Sequence, residues 1–354
     1  GHMGFKKMDR NLSFAEYSLM GTLEKNRAVE RLDKINSLIN WERVEEIITA
    51  GYPVGKKDEG NTAYPPLLLF KCLLLGQWYG IRSDQELETQ INDRVSFRRF
   101  LGLSFHETAP DHSTFARFRS RLGKDLMRRV NSELINQIAA FGFSLSSGVA
   151  VDARLVKSAS KPMSKEKLQE ERERRATPEG KLDRNGKVRK FSRDLDSDWT
   201  IREGGPHFGL KEHACVETNH GFLLATEITP ASHHDSPYLP FCVAASMHTQ
   251  EPIKIVYADK GYHGKENRDF LHLNGIEDGI MRKDTRGGRL TPAERERNRI
   301  IARFRYLVEQ YFGISHLHHA ASRARFTRIV INAIDAMFRQ FAFNVIKVMR
   351  LVVS

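Results

Sequence analysis

At Gly142 the residue pattern of this 354-residue chain changes from helical to strand-like, and that change constrains the fold more than any other feature. Before it, apolar residues recur at helical spacing: Leu32, Ile35, Leu38, Ile39 and Val44 come first. From Pro65 follows "PPLLLFKCLLLGQWYG", whose prolines suit a helix start and whose apolar breadth indicates burial on most sides. Ser83 with Glu86 matches a capping box, and Asp111 or Ser113 opens a helix that Gly123 stops. After Gly142, "SSGVAVDARLVKS" and "IKIVYADKGYHG" read as strands, and "KEHACVETNHGFLLATEIT" reads as two strands joined at Asn219-His220-Gly221. "KENRDFLHLNGI" fits a helix ending at Gly275, and "EDGIMR" a further short strand. The expected fold class is therefore α/β: a mixed β-sheet with flanking helices, preceded by an all-helical N-terminal region.

The length suits about two domains, because single cores stop growing near roughly 250 residues. A helical arm is expected over 1–60, with Gly1-His2 ahead of Met3 read as a tag remnant. A helical domain follows over 61–142, and an α/β domain over 143–354. The α/β domain carries an insertion at 157–206, so rich in Lys, Arg, Glu and Asp that it promises little core: either a surface insertion or a partly disordered one. It ends in an apolar helix over 326–352. Arg328, Asp335, Arg339, Lys347 and Arg350 interrupt that last run, so it reads as a core-packing helix and not a membrane span.

Charge points to the partner. The net charge of +12, with Lys+Arg 56 against Asp+Glu 44, favours an acidic polymer. Arg117, Arg119 and Arg121 follow closely behind the cap of the 111–123 helix and are expected to meet DNA phosphates; the alternative is a solvated basic face over a core helix. Cys72, Cys215 and Cys242 lie far apart with no CxxC pair, which argues against a disulfide framework or thiolate zinc site and for a reducing cytoplasm.

Two aspartates stand at strand ends. Asp152 lies within "GVAVDARLV", and Asp259 follows the apolar run Ile255-Val256-Tyr257-Ala258 directly into a glycine-punctuated turn. A carboxylate so placed needs a metal ion, a cationic side chain or a helix N-terminus as partner. If the strands are neighbours, the two carboxylates repel unless a cation lies between them, and Mg2+ is held by one or two carboxylates plus phosphate oxygens. A third carboxylate, Glu309, lies on a helix opened by Thr291 as N-cap and Pro292, beside a stripe of Ile300, Ile301, Phe304, Val308, Tyr311 and Phe312. Singly, each aspartate reads equally as a turn cap, and Glu309 as an i, i+4 partner of Arg305. Together the three suit two-metal phosphoryl transfer.

The segments "YPPLLLFKCLLLGQWYGIRSDQELETQINDRVSFRRFLGL", "PDHSTFARFRSRL", "VAVDARLVKS", "HFGLKEHACVET", "TPASHHDSPYL", "VYADKGYHG" and "RFRYLVEQYFG" resemble the bacterial insertion-sequence DDE transposases, in particular the insertion-sequence-five group, across about residues 60 to 345. The resemblance implies a ribonuclease-H-like catalytic core that cuts element ends and joins them to target DNA with Mg2+, for which Mn2+ substitutes. By resemblance Asp152 is the first catalytic aspartate, Asp259 the second and Glu309 the glutamate. The related signature Tyr-x2-Arg-x3-Glu-x6-Lys is half present: Arg305 and Glu309 keep their spacing, while Ala302 and His316 stand where the tyrosine and lysine belong. His316 is expected to replace that lysine only partly or only when protonated. Lys260 and His263 are expected to contact a phosphate that Gly261 and Gly264 let approach. Trp199, in the insertion, either stacks on an unpaired base or anchors the insertion to the core. The implied partners are the terminal inverted repeats and target DNA, with pairing of two ends by a homodimer or higher oligomer in the cytoplasm at the nucleoid. A catalytically silent DNA-binding regulator and a nuclease without joining activity remain the alternatives.

Overall fold

The computed structural model describes residues 4–8, 13–15, 18–19, 25–55, 62–145, 148–188, 193–202, 204–247 and 252–353. They divide into two units, one formed by residues 1–145 with 337–354 and the other by 146–336.

In the first unit four helices begin where the sequence supplies a side-chain acceptor. Asn26 and Asn40 cap α1 (Arg27–Leu38) and α2 (Trp41–Gly51), and α3 (Pro66–Trp78) starts on its prolines and is buried on nearly every side. Ser83 caps α4 (Asp84–Asp93), which leads into α5 (Val95–Leu101). Asp111, and not Ser113, caps α6 (His112–Leu122) by accepting from Thr114 N, and α7 (Lys124–Ala140) follows. Residues expected to form a separate arm before position 60 belong to this core. Val29, Leu32, Ile35, Val44 and Ile48 are buried, and Asn36 donates to Phe100 O and accepts from Lys71 Nζ.

The division also differs from the expected boundary at the C-terminus. Phe70 packs against Phe338 and Phe341, and Trp78 Nε1 donates to Ala342 O at 3.0 Å, so residues 337–354 cluster with the first unit. They form most of the final helix, α12 (Ile329–Val353). This helix is long and apolar enough to cross a membrane, but 83% of its apolar window is buried inside the protein, as a core helix requires.

The second unit is built on a six-stranded sheet. Strand β1 (Gly148–Lys157) pairs antiparallel with β3 (Gly205–Glu217), and β3 with β4 (Leu223–Pro230) through the Asn219–Gly221 turn. On its other side β1 pairs in parallel with β5 (Ile255–Ala258), and β5 with β6 (Glu277–Ile280). Three antiparallel strands continued by two parallel ones give the ribonuclease-H-like order β4-β3-β1-β5-β6. The helices are α9 (Leu239–Ala245), α10 (Lys265–Leu273) and α11 (Pro292–His319), the last opened by a capping box between Thr291 and Glu294.

Of the two readings of the charged insertion, its described part fits a folded surface insertion. It contains α8 (Lys165–Ala176) and β2 (Asp198–Arg202), which pairs with the first residues of β3. Leu168 is buried, and Asp194 accepts from Ser158 Oγ and the Ser197 backbone N–H inside the fold. Hydrogen-bonded polar groups and an added strand supply the order that its composition does not promise.

Candidate active site

Strand geometry sets the site. Residues 152 and 154 project from the same face of β1, as alternation requires, and their register partners on β3 are Ala214 and Glu212. Small Ala214 leaves room beside Asp152. Opposite Arg154 stands Glu212, fully buried, with its Oε2 accepting from Arg154 Nη2 at 2.7 Å. Tyr311 OH donates to the other Glu212 oxygen, and Arg154 Nη1 donates to Phe312 O at 3.2 Å. Helix α11 is thereby bolted to β1 and β3, and Tyr257 of β5 stacks on Phe304 with ring centroids 4.2 Å apart. Of the expected apolar stripe, Ile301, Val308 and Tyr311 are buried, whereas Ile300 is exposed.

That docking brings Arg305 onto Asp152. Arg305 Nη2 donates to Asp152 Oδ2 at 2.7 Å and lies 3.8 Å from Glu309 Oε1, so one nitrogen spans the first carboxylate and the third. Glu309, whose place beside the apolar stripe of α11 suggests that it faces a sheet edge rather than open water, is instead 55% exposed. Asp152 and Asp259 each sit one residue beyond the last parallel pair, Val151 and Ala258, on adjacent strands. Each has one oxygen held by backbone: Asp152 Oδ1 accepts from Ala153 N at 2.8 Å, and Asp259 Oδ1 from Gly261 N at 2.7 Å. Burial raises the pKa of Asp152; Arg305 opposes this and the negative charge of Asp259 adds to it.

Whether a divalent ion fits follows from this donor set. Asp152, within β1, and Asp259, just past the end of β5, offer hard carboxylate oxygens of the kind Mg2+ takes. Among the described residues no three acidic, histidine or cysteine side chains are gathered closely enough to hold a metal ion, so the structure does not bring Asp152, Asp259 and Glu309 together as a formed three-ligand site.

The remaining expected residues separate sharply. Arg119 is buried and bidentate on Asp84, at 2.9 and 3.1 Å, so its guanidinium serves the helical core and not DNA. Arg117 and Arg121 are exposed, Arg117 lying 3.8 Å from Asp111. Of the two readings of Trp199 the contacts support anchoring: its indole donates to Met163 O at 2.7 Å and its ring packs on Phe208, tying the insertion to the sheet. Lys260 is exposed beside Asp259. His263 has a pKa lowered by burial and then by Arg268, Arg282 and Lys283, so it is a polar group and not a cationic one. Gly261 is needed for a different approach than the expected one, since a Cβ there would meet Asp259 Oδ1 at 2.9 Å. His316 is exposed on the last turns of α11.

Arg154, Glu212, the bond that Tyr311 makes to Glu212 and the two cations of a second network around Asp235 were not foreseen. In that network Lys211 Nζ lies 2.7 Å from Asp235 Oδ1, and Arg202 Nη2 2.8 Å from Asp235 Oδ2. The available signal was the pair Lys211-Glu212 inside an otherwise apolar strand, which requires a buried counter-charge on each face.

A ribonuclease-H-like sheet with carboxylates on two adjacent strands, following a helical region, belongs to the class of nucleic-acid phosphoryl-transfer folds. Residues 144–342 match the family described as Transposase DDE domain, and residues 20–121 one described as Transposase domain (DUF772). The chain belongs to the DDE transposases of bacterial insertion sequences, enzymes that generally use divalent metal ions. The transposase for insertion sequence element IS1106 of Neisseria meningitidis serogroup B is 30% identical over 239 residues, 66% of this chain and 77% of that protein. Among solved structures, the piggyBac transposase synaptic complex with hairpin DNA aligns over 90% of this chain and 72% of its own, with 8% identity and a TM-score of 0.41. The Mos1 strand transfer complex aligns over 84% and 81%, with 11% identity and a TM-score of 0.21.

Proposed function

We propose that Asp152, Asp259 and Glu309 are the catalytic carboxylates. In this reading they hold Mg2+, with Mn2+ as a substitute, and the enzyme cuts an insertion sequence at its terminal inverted repeats and joins the ends to target DNA. It acts as a homodimer or higher oligomer on DNA in the bacterial cytoplasm. The observation that carries this is the register: each aspartate follows the last parallel pair of β1 and β5, Val151 and Ala258, Asp152 within β1 and Asp259 just past the end of β5. Glu309 is tied in through Arg305, whose Nη2 faces both it and Asp152.

The bound ion would supply an activated water or 3′-hydroxyl and neutralise the leaving oxygen. The chain's own residues orient the parts. Ala153 N and Gly261 N each fix one aspartate oxygen, which limits how the carboxylates rotate. Arg305 lies near Asp152, Asp259 and Glu309 and lowers the cost of holding three negative charges beside a phosphate. The Arg154–Glu212–Tyr311 bolt keeps α11, and with it Arg305 and Glu309, in register on the sheet. Exposed Arg117, Arg121, Lys260 and His316 are read as DNA contacts.

The test uses labelled DNA carrying the element's own ends, incubated with Mg2+ or with chelator, beside Asp259→Asn. Metal-dependent cutting and joining are expected, falling by at least about a hundredfold in the variant. Binding without product would favour the silent regulator, and cutting without joined product the nuclease. Affinity should also fall steeply with salt.

A further inference from the structure

Beside the carboxylates lies a second charged group that the reading above does not use. Lys211 projects from β3 with only 4% of its side chain exposed; its Nζ donates to His233 O and lies 2.7 Å from Asp235 Oδ1. The other Asp235 oxygen accepts from Arg202 Nη2 at 2.8 Å. Two cations thus share one carboxylate. The buried lysine requires Asp235 as its counter-ion, because a buried ammonium without one is costly. Arg202 does not: its side chain is 47% exposed, and its only hydrogen bond among the described contacts comes from one nitrogen. The positive charge left over is therefore on the exposed guanidinium, with most of its donors uncommitted.

Its position is fixed from two sides. Arg202 ends β2, and Ser232 Oγ donates to Asp198 Oδ2 at 2.6 Å, holding β2 to the segment that carries Asp235. That segment is clamped to the turn following Asp259: Asn267, buried, donates to Ser236 O, Ser236 Oγ and Tyr262 O at 3.1, 2.9 and 2.9 Å. Arg202 is also close enough to Asp259 and Asp152 for their charges to act on it.

We propose that Arg202, presented by the charged insertion and set by Asp235 and Lys211, is a phosphate-binding residue that grips the DNA backbone next to the bond being cut. The proposal rests on the phosphoryl-transfer reading above. It gives the insertion a part in the reaction: β2 delivers a planar cationic fork to the rim of the carboxylate site, where a phosphodiester oxygen supplies the acceptor it lacks.

The experiment compares wild type, Arg202→Gln and Arg202→Lys on one labelled element end, measuring binding across a salt series and single-turnover cutting with Mg2+. Thermal unfolding of each variant is recorded alongside. Arg202→Gln should raise Kd about tenfold and flatten the plot of log affinity against log salt by about one charge. Arg202→Lys should restore the salt slope but not the affinity, since an ammonium lacks the fork. Gln and wild type sharing one Kd and one slope would overturn the proposal while leaving the transposase reading intact. Should Gln fail to fold, Arg202→Lys decides alone: a Kd equal to wild type refutes the fork. Wild-type protein that neither binds nor cuts would remove both readings.

Discussion

Arg98 of the helical unit and Arg305 of the sheet unit are both held in the protein interior, yet they are treated oppositely. Arg98 donates to Asn92 O, Ser104 O, Glu107 O and Asn92 Oδ1, so its fork closes on acceptors supplied by its own unit. Arg305 uses Nη2 on Asp152 and leaves Nε buried with no partner among the described residues. The same contrast separates Arg119, bidentate on Asp84, from Arg202. An arginine that builds a fold satisfies its donors within it, whereas one that serves a ligand keeps donors in hand at a cost in stability.

The largest effect should come from the bolt under the site. Arg154→Met removes the cationic partner of buried Glu212, which keeps the hydrogen bond from Tyr311 OH, and is expected to cost about 3–5 kcal/mol. Cutting should be lost with it, because α11 carries Arg305 and Glu309. Denaturant unfolding measures the first and end cleavage at a permissive temperature the second. A stable variant that still cuts would show that α11 is placed by its apolar face alone. Arg119→Met should cost less, about 2 kcal/mol, since Asp84 is partly exposed and can be hydrated. Its salt slope for DNA should stay at the wild-type value, and a lower slope would return Arg119 to the DNA surface.

The two units should also answer pH in separate windows. His213, fully buried beside Tyr238, has its pKa lowered from 6.5 to about 4, mainly by burial. Between those values the unfolded chain binds the proton and the folded one does not, so stability is complete above about 6.5 and falls as pH drops toward 4, by up to about 3 kcal/mol. His213→Gln should flatten that fall. In the helical unit Lys71 is lowered from 10.5 to about 8, also by burial, which makes stability rise from about pH 8 to 10.5. Lys71→Met should remove that rise and leave the acid side unchanged. Loss of both slopes in either variant would mean that the units do not unfold as separate sources of these effects.

The elements that carry the proposed carboxylates were legible because local pattern and chain order mark them. The apolar run before Asp259 is a strand that ends there, whereas Asp152, expected at a strand end, lies inside β1, which runs on to Lys157; Thr291-Pro292 with Glu294 marks the start of α11. Arg119 was misread because a charge on a helix reveals its partner only when the fold brings Asp84 across, 35 residues earlier in sequence. Arg154–Glu212 and Lys211–Asp235 escaped for the same reason: each pair joins different strands or a strand and a loop. The insertion was underestimated because composition counts apolar residues, and its order comes from strand pairing and from the polar cluster around Asp194.

The smallest expected effect tests that insertion directly. Trp199→Phe removes the hydrogen bond to Met163 O but keeps an aromatic ring against Phe208, so a loss of about 1 kcal/mol is expected, with end processing unchanged. Trp199→Ala also removes the ring contact and should destabilise more, loosening β2 and therefore Arg202. The two variants together separate anchoring from stacking on DNA. If Trp199 only anchors, cutting should track the stability of the insertion and Phe should behave as wild type at low temperature. If a base stacks on the indole, Phe should still cut, and Ala should fail even where the insertion remains folded. In that case Trp199 would join Arg202 on the functional side of the comparison.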